Sequence, residues 1–247
     1  MNMGYSFKHQ FTVINSAADC FGRLKPSMLL SYCQEVAGKH CIELGTDYES
    51  MVSKNMFWAI IRQKVQITRL PHIGETITLE TWPMPTARTY YPRATVGYDA
   101  EGNELFKVLG LWVVMDLNNR TMILPKKSGI IVEGTLRGDE LSVPGGLSPK
   151  DLESCLSRKV LFSDLDQNGH MNNSRYLEWM YDLLDSSFHR EHTPKELSIC
   201  YHAEAREGQM LHLNWQLDGE NVMLVDALRQ DPEDGEMHHV FAAKLQF

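Results

Sequence analysis

The chain lacks long apolar segments. No apolar run approaches the roughly 20 residues that a helix needs to cross a bilayer. The first residues also lack the basic start, the apolar run and the small-residue cleavage site of a signal peptide. These absences predict a cytoplasmic protein with no membrane partner.

Positive charge and paired cysteines are also scarce. The 24 Lys and Arg residues are outnumbered by 32 Asp and Glu residues, which gives a net charge of −8. A general nucleic-acid-binding protein needs a basic face, so this balance argues against nucleic acid as a partner. The 5 cysteines are odd in number and have no C-x-x-C spacing, which argues against a disulfide framework or a zinc site.

A dense polar segment stands out against this ordinary composition. Residues 163–179 read SDLDQNGHMNNSRYLEW, and the helical spacing of apolar residues begins at about Asn173 and extends to Leu184. The asparagines at its start are good N-cap residues, so the polar loop is predicted to lie at a helix N-terminus. Unpaired backbone N–H groups and the helix dipole favour a developing negative charge there, which suits chemistry on a carbonyl group.

The same segment matches the opening of a calcium-binding EF-hand loop. Asp164, Asp166 and Asn168 stand at alternate positions and are followed by glycine. Position twelve, where a bidentate glutamate must close the coordination sphere, is Arg175. Because a guanidinium group repels the ion, the sequence predicts no metal site here.

The order of predicted elements occurs twice along the chain. In each half a strand is followed by a helix and then by strands rich in β-branched and aromatic residues, which predicts an α+β unit whose antiparallel sheet covers the helix. A glycine-rich stretch separates the halves. The predicted boundaries are 1–130 for the first unit, 131–149 for the connection and 150–247 for the second unit, whose first strand is predicted at 159–162.

The two halves also align residue by residue. Residues 19–32 match residues 166–179 without a gap, and residues 70–79 match residues 204–213. Structural positions should keep their character in both copies, whereas positions used for chemistry can survive in one. The polar residues gained in the second copy are Asn168, His170 and Glu204, opposite Phe21, Arg23 and Leu70. This contrast predicts one active copy and one supporting copy.

Other polar residues of the loop have competing explanations. Asp166 stands opposite Asp19, so an Asx turn that fixes the loop would explain both aspartates, alone or beside a catalytic role. Asn172 and Asn173 are assigned mainly to helix capping.

The residues of this loop resemble the second half of acyl-acyl carrier protein (acyl-ACP) thioesterases. The signature is D-L-D-x-N-x-H-x-N-N-x-x-Y-x-x-W, from Asp164 to Trp179, and the first half of the chain also resembles the family. The resemblance implies two tandem hot-dog domains, each an antiparallel sheet wrapped around a long helix. The family's functional positions fall on Asp166, Asn168, His170 and Glu204.

One position departs from the plant members of that family. They carry a cysteine immediately after the acid, where this chain has Ala205. A thiolate nucleophile is therefore unsupported, and water or a carboxylate must be the attacking species.

The resemblance implies hydrolysis of fatty acyl-ACP to free fatty acid and holo-ACP, without a cofactor. Acyl carrier protein would be the acyl donor, the C-terminal domain would be catalytic, and the N-terminal domain would set acyl-chain selectivity. Two alternatives remain, an acyl-CoA thioesterase and a non-catalytic module that binds an acyl or pantetheine group. Because carrier protein is acidic, a basic surface patch would favour acyl-ACP as the substrate over acyl-CoA. The candidate residues for this patch are Arg88, Arg93, Arg158, Lys159 and Arg175. The oligomeric state stays open, a homodimer being one possible assembly.

Overall fold

The chain folds into two units, Met1–Pro144 and Gly145–Phe247, in a computed structural model. The structure describes residues 6–149, 151–231 and 235–247. Each unit contains a strand, a helix and a set of antiparallel strands in that order along the chain, as the repeated sequence pattern predicts.

The first unit is built on an antiparallel sheet. Along the sheet the order of strands is first, third, fourth, fifth and second, and a short sixth strand pairs with the end of the fifth. The strands are β1 (Phe7–Thr12), β2 (Met56–Ile67), β3 (Thr76–Pro83), β4 (Tyr91–Tyr98), β5 (Glu104–Asp116) and β6 (Met122–Ile123).

Helix α1 (Pro26–Glu43) packs its buried face against β1 and β3. Pro26 occupies the first helical position, where the missing N–H costs no intrahelical hydrogen bond. Gly45, with φ of +63°, follows the end of the helix in a left-handed conformation that glycine adopts readily. Two short helices complete the unit, α2 (Tyr48–Val52) and α3 (Pro125–Ser128).

The segment after α3 docks on the first unit. Ile130 is buried. The Arg137 guanidinium stacks 3.8 Å from the Trp82 ring centroid and donates a hydrogen bond to Glu80 at 2.8 Å. These contacts explain why residues 131–144, which the sequence pattern predicts as part of a connection, fall within the first unit.

Glu80 should make the stability of the first unit depend on acidity. Burial opposes ionisation, but hydrogen bonds from Arg137 and Ser6 and the charge of Lys8 lower the pKa of Glu80 from 4.5 to about 2. A carboxyl group whose pKa is lower in the folded state stabilises the fold above its unfolded pKa and loses that contribution as the pH falls. We therefore expect the free energy of unfolding to decrease between about pH 4.5 and about pH 2.

Urea unfolding at a series of pH values measures this effect. Arg137→Gln removes the strongest of the groups that lower the pKa of Glu80, so this variant should show a weaker pH dependence over the same interval. An identical pH dependence in the variant and the parent chain would contradict the assignment.

The strands of the second unit are arranged in the same order as those of the first unit. Its strands are β7 (Ser154–Lys159), β8 (Glu196–Tyr201), β9 (Met210–Asp218), β10 (Val222–Gln230) and β11 (Met237–Gln246). They follow the order β8, β11, β10, β9, β7, and every neighbouring pair is antiparallel.

The prediction of a strand at 159–162 is wrong in position. Strand β7 ends at Lys159, and residues Phe162–Asp164 form a single 3-10 turn. Leu161 and Phe162 are exposed, so their apolar side chains do not mark a buried strand. An apolar run this short cannot by itself distinguish a strand from a turn.

Helix α4 (Asn173–Tyr181) is half the length of α1, with 9 residues against 18. The apolar spacing predicted a helix that continued to Leu184. The helix instead ends at Tyr181, and Asp185 caps a second helix, α5 (Ser186–Glu191), by accepting a hydrogen bond from the Phe188 N–H at 2.9 Å.

Equivalent backbone hydrogen bonds recur in both units, which confirms the register of the sequence alignment. They link the ends of the loop before each helix, and they tie the turn before β3 or β9 to the first strand. The matching bonds are Asp19 N–H to Arg23 O and Asp166 N–H to His170 O, both 2.8 Å, and Gly74 N–H to Val13 O and Gly208 N–H to Val160 O, both 2.9 Å.

Candidate active site

A tight turn shapes the polar loop of the second unit. The N–H of Asp166 donates to the carbonyl oxygen of His170 at 2.8 Å, and the N–H of Gly169 donates to the carbonyl oxygen of Asp166 at 3.0 Å. Gly169 has φ of +72°, a conformation that costs glycine no Cβ clash. The turn therefore holds Asp166 and His170 close together in the backbone.

Asp166 fixes this turn with its side chain. One carboxylate oxygen accepts the Asn168 backbone N–H at 2.8 Å, and the other accepts the Asn168 side-chain amide at 3.5 Å. In the first unit Asp19 accepts the Phe21 N–H at 2.9 Å in the same way. The Asx turn is thus structural in both copies. A catalytic role for Asp166 or Asn168 remains a prediction.

His170 and Glu204 meet directly. The imidazole Nε2 lies 3.0 Å from the carboxylate Oε2. The His170 side chain is 10% exposed and the Glu204 side chain 34%, so the carboxylate is the partner that solvent water reaches more easily. A carboxylate beside an imidazole can accept a proton from water while the two groups orient each other.

The internal alignment sets Glu204 opposite an apolar residue of the first copy. Leu70, its counterpart, is buried in the first unit, and Glu204 is half-buried. In each unit a backbone hydrogen bond links the residue that follows this position to the loop before the helix. The bonds are Met171 N–H to Ala205 O and Leu24 N–H to Pro71 O, both 2.8 Å. The inward position therefore holds a carboxylate against the loop in the second unit and an apolar side chain in the first.

Arg23, the counterpart of His170, braces the loop of the first unit. Its guanidinium donates to Asp19 at 2.9 and 3.0 Å and lies 4.7 Å from the Phe21 ring centroid. We expect Arg23→Ala to lower the free energy of unfolding by about 1 kcal/mol, since the ion pair is partly buried. Most of kcat for the best substrate should be retained, and KM or chain-length preference should be what changes in the kinetics. Chemical unfolding and steady-state hydrolysis measure the two effects, and loss of turnover in a folded variant would contradict them.

Asp164 anchors α4 to the loop. This carboxylate is 3% exposed. Its oxygens accept hydrogen bonds from the Leu161 N–H at 2.9 Å and the Trp179 indole at 3.3 Å, and Arg175 Nη2 lies 3.2 Å away. The sequence analysis considered Asp164 as a calcium ligand and as the first residue of the family signature, and assigned it no structural role. Extending the internal alignment by two residues, to Ala17, would have marked it as a side chain particular to the second copy.

Arg175 therefore supplies the positive charge beside Asp164. Within 6–149, 151–231 and 235–247, no group of three or more His, Cys, Asp or Glu side chains could hold a metal ion. The expectation that calcium does not bind stays a prediction. No helix in these ranges is long and apolar enough to cross a membrane.

Asn172 caps α4, as predicted. Its side-chain oxygen accepts the Ser174 N–H at 2.9 Å and the Ser174 hydroxyl at 2.8 Å. This cap occupies an N–H group that the helix N-terminus would otherwise offer to a substrate oxygen. Asn173 is the first helical residue, and its carbonyl oxygen accepts the Tyr201 hydroxyl at 3.3 Å.

Tyr176 is a site residue that the apolar helix pattern concealed. Its side chain is buried near the carboxylates of Glu204 and Asp166. Burial, and then the charges of Glu204 and Asp166, raise the pKa of this phenol. The alignment does contain a signal, since Leu29 stands at the equivalent position of the first copy.

Of the five basic residues considered for carrier-protein contact, two are exposed and three are engaged in contacts within their own unit. Arg88 and Lys159 are exposed. The other three make contacts within their own unit: Arg93 with Thr81 at 3.3 Å, Arg158 with Asp182 at 2.7 Å, and Arg175 with Asp164 at 3.2 Å. A patch formed by all five is therefore a weaker prediction than the sequence alone indicated.

Comparison with known families decides which family the fold and loop represent. Residues 4–125 match the acyl-ACP thioesterase N-terminal domain, and residues 148–243 match the acyl-ACP thioesterase C-terminal domain. The chain belongs to the acyl-ACP thioesterase family. The resemblance drawn from the signature between Asp164 and Trp179 is thereby confirmed.

Relatives in this family include longer plant proteins. The chloroplastic palmitoyl-acyl carrier protein thioesterase of Gossypium hirsutum is 23% identical over 223 residues, which cover 84% of this chain and 54% of that protein. The chloroplastic dodecanoyl-[acyl-carrier-protein] hydrolase of Umbellularia californica is 22% identical over 187 residues, covering 68% of this chain and 46% of that protein. The chain spans about half the length of these curated relatives.

Solved structures of acyl-ACP thioesterases share the fold over nearly the whole chain. The structure from Bacteroides thetaiotaomicron has a TM-score of 0.82 at 22% identity and covers 98% of each chain. The 12:0-ACP thioesterase from Umbellularia californica has a TM-score of 0.81 at 19% identity and covers 98% of this chain and 97% of that chain. The prediction of two tandem hot-dog domains is confirmed.

Proposed function

We propose that this acyl-ACP thioesterase family member hydrolyses the thioester of fatty acyl-ACP and releases free fatty acid and holo-ACP. The observation that carries the proposal is the 3.0 Å contact between His170 Nε2 and Glu204 Oε2 in the polar loop region of the second unit. Family membership supports the substrate class, and the carboxylate–imidazole pair supports hydrolysis rather than binding alone.

Glu204 is the general base in this proposal. It takes a proton from a water molecule whose oxygen attacks the thioester carbonyl carbon. Asp166, the other carboxylate among the candidate catalytic residues, accepts two hydrogen bonds within its Asx turn. Ala205 provides no thiol at the position where plant members have cysteine, so water is the nucleophile.

His170 orients Glu204 and relays its proton. The tetrahedral intermediate collapses as the carbon–sulfur bond breaks, and the departing thiolate receives the proton that the water lost. Because a thiolate is a good leaving group, its departure needs little assistance from a general acid. The Asn168 side-chain amide lies in the same loop and is the proposed donor to the developing oxyanion.

Thiol release from matched acyl-ACPs and acyl-CoAs, over a series of acyl lengths, tests the proposal. A higher kcat/KM with the ACP series supports it. A higher kcat/KM with the CoA series would favour the acyl-CoA alternative. Binding of both series without turnover would favour the non-catalytic module. The Glu204→Gln variant, prepared in parallel, measures hydrolysis that does not come from this site.

The partner and the assembly belong to the same proposal. Acyl carrier protein is the proposed partner, and the cytoplasm is the proposed location. A homodimer is the proposed assembly, which light scattering of the purified chain tests.

A further inference from the structure

Arg93 is a charged residue in the first unit whose contacts include no carboxylate. It lies on β4, and its guanidinium extends between the sheet and α1. Its partners are an imidazole, a hydroxyl and a thiol: His40 Nδ1 at 3.1 Å, Thr81 Oγ1 at 3.3 Å and Cys41 Sγ at 3.8 Å. Within the part of the chain that the structure describes, no carboxylate pairs with Arg93. Taking a charge out of water without a pair is unfavourable, so this guanidinium needs an explanation.

The contacts of Arg93 do not balance its charge. Because a guanidinium group only donates, His40 Nδ1 accepts, and an imidazole that accepts a hydrogen bond is neutral. Burial lowers the pKa of Arg93, and no carboxylate in the described ranges opposes that effect. The guanidinium has more N–H groups than its three contacts use, so N–H groups remain for a ligand.

An indole N–H lies beside Arg93. Arg93 pairs with Gly110 on β5, and a Cβ atom built on Gly110 would lie 2.9 Å from Trp112 Nε1. The side-chain directions of two directly opposite residues lie on the same face of a sheet, roughly 5 Å apart. In the described ranges the Trp112 N–H donates to no other group. The missing side chain at Gly110 thus places a second available donor on the same face as Arg93.

The second unit shows that packing between helix and sheet does not require these donors. The strands of the two units match through their bulges, which follow Gly97 in β4 and Ala227 in β10. In this match the counterparts of the three residues are all apolar and buried. They are Met223 for Arg93, Leu245 for Gly110 and Phe247 for Trp112. The cationic, donor-rich arrangement is therefore particular to the first unit.

We propose that Arg93 and the Trp112 indole N–H form a binding site for the carboxylate of an alkyl-chain molecule in the first unit. A carboxylate matches the planar guanidinium group and supplies the single negative charge that the site lacks. A phosphate group would bring about two charges, more than one guanidinium balances. Trp112 also packs against a buried apolar cluster that includes Tyr91 and Val114, which suits an attached alkyl chain.

Two sources can supply this carboxylate. One is the head group of a free fatty acid. The other is a carboxylate at the distal end of an acyl chain that is still joined to its carrier, and this source rests on the proposed function. The two sources share the contact with Arg93, but only the second requires turnover.

Isothermal titration calorimetry of the full chain with decanoate and decanol tests the head-group source. The parent chain should bind decanoate more tightly than decanol. Arg93→Met introduces the residue of the second unit and should reduce this preference at least about 10-fold, the range for loss of a charged hydrogen bond. Arg69→Met is the matched control and should keep the preference, because Arg69 is exposed and already bonds to Glu75 at 2.8 and 2.9 Å.

Two further variants keep the test independent of how well Arg93→Met folds. Trp112→Phe removes the indole N–H, keeps an aromatic ring and should weaken decanoate binding about fivefold. Arg93→Lys keeps the charge but loses the planar fork, and should weaken decanoate binding by a smaller factor than Arg93→Met. Thermal unfolding supplies a second readout, since decanoate should raise the Tm of the parent chain and of Arg69→Met more than that of Arg93→Met.

Hydrolysis kinetics test the distal source. Decanoyl-ACP is compared with an analogue that carries a carboxylate at the far end of the acyl chain. In Arg93→Met the ratio of KM for the carboxylated substrate to KM for decanoyl-ACP should rise about 10-fold relative to the parent chain. Arg69→Met should leave this ratio unchanged.

The outcomes separate the two sources and the proposed function. Decanoate binding that depends on Arg93 supports the head-group source, and a KM ratio that depends on Arg93 supports the distal source. If neither quantity depends on Arg93, the carboxylate site is overturned. A parent chain that binds decanoate through Arg93 but hydrolyses no acyl thioester would contradict the proposed function alone.

Discussion

Replacing Glu204 with glutamine is expected to lower kcat by about 100-fold or more, the range for loss of a positioned acid–base group. Glutamine keeps the size of the side chain and can still bond to His170, but its amide cannot accept a proton from water. The substitution therefore keeps a side chain of the same shape at the 3.0 Å contact between His170 Nε2 and Glu204 Oε2, but removes the carboxylate that accepts the proton. The free energy of unfolding should change little, because Glu204 is half-buried rather than enclosed.

His170→Ala tests the other member of the pair and should give a loss of similar size. Because the two residues act as a unit, combining both changes should lower kcat little further than the more damaging single change. Steady-state hydrolysis of the best acyl-ACP measures these effects.

Two controls separate this pair from other charged residues. Glu207→Gln removes an exposed carboxylate from the same segment, and Arg23→Ala removes the counterpart of His170 in the first unit. Both should retain most of kcat. If Arg23→Ala abolished turnover in a folded protein while Glu204→Gln left it unchanged, the active site would not lie in the second copy.

Asp164→Asn is expected to reduce the free energy of unfolding by about 2 kcal/mol, less than the roughly 3–5 kcal/mol that breaking a fully buried ion pair costs. Asparagine has nearly the same shape, so the change isolates the charge of the carboxylate. Arg175 would lose its partner at 3.2 Å, and the indole N–H of Trp179 would face a weaker acceptor. The cost stays below the upper range because Arg175 is 31% exposed and also pairs with Glu178.

Urea unfolding of the full chain, followed by circular dichroism, measures this loss. Asp182→Asn is the matched control, because Asp182 pairs with Arg158 but is 60% exposed. That change should cost no more than about 0.5 kcal/mol. Equal destabilisation by the two variants would contradict the anchoring role of Asp164.

Local patterns in the sequence were enough to predict the elements of each unit. Strand-forming residues and turn residues predicted, in each half, a strand, then a helix and then further strands, and the structure has this order. Asn172 was assigned to a helix cap from its residue type and position, and it caps α4. These predictions succeeded because the interactions involved join residues that are close in sequence.

Where local signals conflicted, the sequence pattern misplaced an element. The apolar residues Leu161 and Phe162 indicated a strand, yet they are exposed beside a 3-10 turn. The spacing up to Leu184 indicated a longer helix, yet Asp185 begins a new one. Whether an apolar side chain becomes buried depends on what the remainder of the chain packs against it, which periodicity does not contain.

The sequence by itself determined the duplication, the family and the candidates Asp166, Asn168, His170 and Glu204, because identities at fixed spacing carry that information. Only the tertiary structure decided which candidates meet. The long-range backbone bond from Met171 N–H to Ala205 O sets Glu204 beside His170, while Asp166 bonds within its own turn. Such contacts depend on the register between segments that are distant in the chain, and no local pattern specifies that register.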